Sequence, residues 1–130
     1  MEYQKFLDRY QTEFGENFST LIDTFPQFQI SAQGAYNRIH RQIEDFIKSK
    51  NSAYDFNDIK KWQKEAVLDA EIYQAFYIFH NVDFSILGGY DSTSGALIDK
   101  KTIADRELCN DVVRILRNAR LLYRVYGVPQ

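Results

Sequence analysis

A chain of 130 residues with a formal charge of −2 and a pI near 5.7 has the size of one domain. Its acidic balance argues against a dedicated nucleic-acid binder, whose electrostatic footprint is basic, while leaving room for a local basic stripe. Its single thiol, Cys109, excludes an intrachain disulfide and a cysteine-rich metal site.

The first segment, residues 3 to 24, places Tyr3, Leu7, Tyr10, Phe14, Phe18, Leu21 and Phe25 at steps of three and four, a helical stripe. Gly15 is positioned to divide it, and Pro26 to end it. Ser31 then caps a helix from Ala32 to Lys48 with Ala35, Ile39, Ile43, Phe46 and Ile47 on one face. A third and longest helix starts near Asp55 or Asn57 and carries Ile59, Trp62, Ala66, Ala70, Tyr73, Tyr77 and His80 along one side. From Val82 to Lys101 the helical period breaks: Gly88-Gly89 and Asp91-Ser92-Thr93-Ser94-Gly95 are turn residues flanked by short β-competent pieces, which predicts an extended loop or irregular hairpin. The last helix is predicted from Ile103 to Tyr123, with Thr102 as its cap and Leu108, Val112, Ile115, Leu116, Ala119, Leu122 and Tyr123 buried. The expected fold is all-α: a small bundle of about four helices with the loop inserted before the last one.

No apolar run approaches the roughly 18 residues needed to span a membrane, and MEYQKFLDRY has no signal-peptide pattern, so a protein of the cytoplasm, or of a particle assembled there, is expected. Aromatic residues make up 15% of the chain, enough to furnish both a ring-packed core and interface anchors.

Chemistry is sparsely represented. His40 and Glu44 lie four apart on one helix face, half of a metal site at most, and the ordinary reading is a surface contact. His80 falls at the C-terminal end of the third helix, where the dipole favours a partly charged imidazole. Cys109 follows a core position and has no evident partner. Gly88-Gly89 lacks the spacing of a phosphate loop. No catalytic constellation emerges, so no enzymatic activity and no cofactor or metal are expected.

The charge pattern says more. At 100° per residue, Arg106, Arg114, Arg117, Arg120 and Arg124 fall within about one third of the last helix's circumference. Asp58, Glu65 and Asp69 form an acidic flank on the third helix. These are either two solvated flanks or stripes that meet, within the monomer or between subunits; arginine suits the second use because its planar fork binds carboxylates bidentately. Phosphate is a third possible partner of the basic stripe.

Three segments, in order, carry a family resemblance. Thr24-Phe25-Pro26-Gln27-Phe28 precedes an amphipathic helix; Phe84-Ser85-Ile86-Leu87-Gly88-Gly89-Tyr90 lies between two long helices; and Ala104-Asp105-Arg106 leads to Leu121-Leu122-Tyr123-Arg124. Together they resemble the head–tail connector, or adaptor, proteins of tailed bacteriophages. The resemblance implies one domain over 1–130: an N-terminal helical extension (1–23), a connector-like core (24–126) and a tail (127–130). It further implies a homo-oligomeric ring, commonly twelvefold, at the head–tail interface of a virion assembled in the host cytoplasm. Such a ring docks under a portal protein, extends the DNA channel without reading sequence, and offers a platform for the next connector or the tail. On this basis the arginine and acidic stripes are candidate subunit contacts, residues 84–90 a docking loop, and Tyr126 and Val128 a tail contact. Connectors often have Gly just before and just after the Leu-Tyr-Arg ending, where this chain has Arg120 and Val125. The alternative is a small helical interaction or regulatory module with one partner and no phage role.

Overall fold

The computed structural model describes residues 2–26, 29–81 and 108–122, and among these it is all-helical, with no strand. Helices α1 (Glu2–Phe14), α2 (Phe18–Asp23), α3 (Ala32–Lys50), α4 (Lys61–Asn81) and α5 (Asn110–Asn118) form a bundle, with a 3-10 turn at Phe56–Asp58. The expected loop or hairpin over 82–101, including Phe84 to Tyr90, lies outside the described residues. None of the described helices is long and apolar enough to cross a membrane.

The predicted first segment is two helices, broken at Gly15, which adopts φ +70°. Asn17 caps the second, its side-chain oxygen accepting from the Thr20 N–H at 3.0 Å. Helix α3 starts as predicted, Ser31 Oγ accepting from the Gly34 N–H at 3.0 Å, and runs two residues further, to Lys50.

The third predicted helix starts later than expected. Asp55 caps the 3-10 turn, accepting from the Asn57 N–H at 2.9 Å, and the turn ends at Ile59, whose backbone is extended (φ −81°, ψ 164°), so this segment does not continue into a helix. Helix α4 begins at Lys61, and Gln63 Oε1 accepts from the Lys60 N–H at 3.0 Å, as in one arm of a capping box.

The face predicted for α4 is also corrected. Val67, Leu68, Ala70, Ile72, Ala75, Ile78 and Phe79 are buried, whereas Trp62 is 50% exposed and Tyr73 and Tyr77 are half-buried. The reason is that α4 touches α1, α3 and α5, so its buried positions, Gln63, Glu71 and Gln74 among them, spread over several faces and no single apolar stripe is distinguished. The rings of α1 and α2 complete the core: Phe6 meets Phe18 edge-on at 4.9 Å, and Phe14 stacks on Phe76 at 4.3 Å.

The last helix ends at Asn118 rather than Tyr123. Arg120 takes φ +60°, its N–H donates to the Arg117 carbonyl at 2.9 Å, and the Leu121 N–H donates to the Leu116 carbonyl at 3.2 Å. This is a Schellman ending with arginine in the left-handed position that glycine favours. The predicted start at Ile103 and cap at Thr102 lie outside the described residues.

Two substitutions test these helix ends by urea denaturation. A Cβ at Gly15 meets nothing within 4 Å, so Gly15→Ala is expected to cost about 1 kcal/mol through backbone strain alone. Arg120→Gly is expected to raise stability by about 1 kcal/mol by relieving it. Destabilisation by Arg120→Gly would contradict the left-handed ending.

Candidate functional site

Of the acidic flank, Glu65 and Asp69 are already engaged. Arg9, on α1, forms ion pairs with Glu65 and, at 2.8 Å, with Asp69, and also donates to the Glu65 carbonyl at 3.3 Å. All three side chains are partly exposed, so the cluster orients α1 on α4 more than it stabilises it. Asp58 is exposed at the end of the 3-10 turn.

Of the arginines, Arg106 and Arg124 lie outside the described residues, as do Tyr126 and Val128. Arg114 pairs with Asp111 one turn back on α5, and Arg117 is exposed. Arg120 leaves the helical arc, because the chain has turned into its left-handed ending; the arc drawn from a continuous helix therefore does not extend to it. Two pairs drawn from the opposite stripes do share grooves. Asp69 and Arg114 line one of about 420 Å³ together with Glu13, Tyr73, Asp111, Ile115 and Asn118. Asp58 and Arg120 line another of about 250 Å³, with Asp55, Lys60 and Gln63 among its walls.

The most buried polar chemistry lies elsewhere. Glu71, 2% exposed on α4, is hydrogen-bonded to His40 Nδ1 on α3. The local partner expected for His40, Glu44, stands further off at 3.7 Å from Nε2. Tyr36 stacks on the imidazole at 5.9 Å and Phe56 meets it edge-on at 6.3 Å, which holds the ring in place. The hydrogen bond from Glu71 raises His40 above its ordinary value against the opposing effect of burial. Burial pushes Glu71 up, and His40 only partly offsets it. Both shifts describe one proton held between two groups to a higher pH than a free imidazole would keep it.

His80 is likewise more than a helix-end residue. Its Nε2 lies 2.6 Å from Glu16 Oε1, which also accepts from the Tyr10 hydroxyl at 2.7 Å. Burial opposes the charged carboxylate, but these two hydrogen bonds lower Glu16 overall. Cys109 is half-buried, and its N–H donates to Gln74 Oε1 at 3.0 Å, a structural use.

Sequence reasoning missed Arg9 and Glu71 as partners. The only available signals were their places: Arg9 beside the Phe6–Tyr10 stripe, and Glu71 between the apolar Ala70 and Ile72. Among the described residues no group of three or more His, Cys, Asp or Glu side chains is arranged to hold a metal ion. Comparison of the chain with protein-family models, with curated proteins and with solved structures gave no match.

The His40–Glu71 pair sets a pH dependence. Because His40 is raised, its contribution is complete below pH 6.5, the free imidazole value, and is lost as pH rises through the folded value. Glu71, raised from 4.5, acts in the same direction from that pH upward. His40→Ala is expected to cost about 3 kcal/mol near pH 7, where it strands a buried carboxylate. The loss should shrink as pH falls, because burial, which already raises Glu71, favours its taking up a proton of its own. A loss that did not vary with pH in urea denaturation would contradict this account.

Proposed function

We propose that the chain is a non-enzymatic structural subunit of a phage head–tail connector, forming a ring beneath a portal protein. In this reading the ring extends the DNA channel without reading sequence and supports the next connector or the tail, so the protein resides at the head–tail interface of the virion. Twelve copies are what the family resemblance implies.

The observation that carries the reading is the end of α5. Connectors often place glycine just before their Leu-Tyr-Arg ending. The residue at that place here, Arg120, adopts φ +60°, the backbone conformation for which glycine is the favoured residue. That a glycine-favouring conformation falls at this place supports the reading. The small helical bundle agrees with the fold that the resemblance implies. A ring needs two different complementary flanks per subunit; Arg117 and Arg120, both exposed, are candidates for one of them. Residues 84–90 and the tail from Arg124, with Tyr126 and Val128, remain candidate contacts with portal, connector or tail proteins.

Electron microscopy of the full chain, alone and mixed with portal rings encoded in the same genome, tests the proposal. Rings of the chain, free or seated on portal, are expected. A monomer or dimer that ignores portal would contradict the connector reading and favour a single-partner interaction module. Reversing Arg117 and Arg120 to Glu is expected to weaken ring assembly at least tenfold while far-ultraviolet circular dichroism stays helical; unchanged assembly would remove the arginines from the interface.

A further inference from the structure

Trp62 is the one large apolar side chain among the described residues that is exposed. Asp69 and Tyr73 follow it by seven and eleven residues, which returns them to the same face of α4, roughly 10 and 16 Å along the axis. Both line the groove between α1 and α5 whose walls include Glu13, Asp111 and Ile115. A protruding indole and an open groove therefore share one face.

Their charges are opposite. Exposed Lys60 and Lys61 adjoin Trp62, and the first turn of α4 has no acidic residue. Lysines at a helix N-terminus oppose the dipole, so helix stability does not explain them. The groove itself is lined by Glu13, Asp69 and Asp111 against Arg114, with Arg9 paired to Asp69 from beside it, so carboxylates outnumber cations by one. The Tyr73 hydroxyl registers that field: its hydrogen bond to Glu13, then burial and the charges of Glu13, Asp69 and Asp111, raise its pKa.

We propose that this face docks a second copy of the chain, the Trp62 of each copy entering the groove of the other with Lys60 and Lys61 against its carboxylates. A surface that carries both knob and groove satisfies both at once across a two-fold axis, with the α4 helices antiparallel and the small, half-buried Ala66 near the axis. The pairing goes beyond the connector reading and does not rest on it, since a ring uses heterologous contacts elsewhere. Trp62 is already half-buried, so two docked indoles contribute only about 150–250 Å² of the roughly 1,200 Å² typical of a stable interface, and the pair is a weak, reversible one.

Trp62 is the chain's only tryptophan and reports on its own burial. Sedimentation velocity and tryptophan emission are followed over a concentration series of the full chain. Dimer formation and a blue shift are expected over the same range, both weakened by salt. Trp62→Ala should weaken association about 30-fold. Lys61→Glu and Glu13→Lys should each weaken it about tenfold, and mixing these two variants should restore pairing, because each then meets its complement in both grooves. Glu13 suits this role because a lysine in the last turn of α1 agrees with the helix dipole. The proposal is overturned if the chain stays monomeric with unchanged emission, if Trp62→Ala associates as tightly as the parent, or if the mixture fails to pair. It is equally overturned if duplex DNA or an acidic peptide shifts the emission while self-association does not. A dimer that ignores portal would support this pairing and contradict only the connector.

Discussion

The bundle depends on keeping polar side chains satisfied on a helix surrounded by others. Gln63, Glu71 and Gln74 are buried on α4, where an unpartnered amide costs about 1–3 kcal/mol and an unpartnered carboxylate more. Each is met from a different direction. Gln63 Nε2 donates to the Ala119 carbonyl at 3.0 Å, at the end of α5; Gln74 Oε1 accepts from the Cys109 N–H at its start; Glu71 binds His40 on α3. The first two fix α5 antiparallel to α4 at both ends, so a slip along α4 would strand two amides at once. Gln74 also reaches Gln42 Oε1 on α3 at 3.3 Å, and among the buried side-chain atoms of the described residues only Gln42 Nε2 is left without a partner.

The other side of α4 is held mainly by rings, with charge at its margins. Phe6, Tyr10 and Phe18 are fully buried, so residues 2–23 supply core and are not merely appended to it. The two histidine–glutamate pairs act at opposite limits of pH. Glu16 is lowered, so its contribution is present above the free carboxylate value and lost as pH falls. His40 is raised, so its contribution is lost as pH rises.

How much was legible in the sequence follows from how local each signal is. Ser31 and the apolar face of α3 could be read because cap and stripe lie within one amphipathic helix. Gly15 marked the break between α1 and α2 because a left-handed residue is needed there. The face of α4 could not be read, since its buried positions spread over several faces and include Gln63, Glu71 and Gln74, which breaks the apolar period. The end of α5 was hidden because leucine and arginine continue the helical rhythm past Asn118 while the backbone turns at Arg120. Arg9 lies 56 and 60 residues from Glu65 and Asp69, and His40 lies 31 from Glu71. Pairings at such separations are set by packing, so Glu65 and Asp69, read as solvated or as meeting the arginine stripe, were matched from α1 instead. The arginine stripe suffered twice, losing Arg120 to the turn and committing Arg114 to Asp111.

The same arrangement gives the proposed assembly contacts their physical setting. A rigid α4, tied on several sides, presents Trp62 and its lysines from a fixed base, and the end of α5 carries Arg117 and Arg120 beside it. Hydrogen exchange followed residue by residue tests most directly whether α4 is that base. The account predicts that α4 amides from Val67 to Ile78 are the slowest in the protein and exchange only through global unfolding. Slower exchange in α1 or α3, with α4 opening in a separate, lower-energy step, would contradict it.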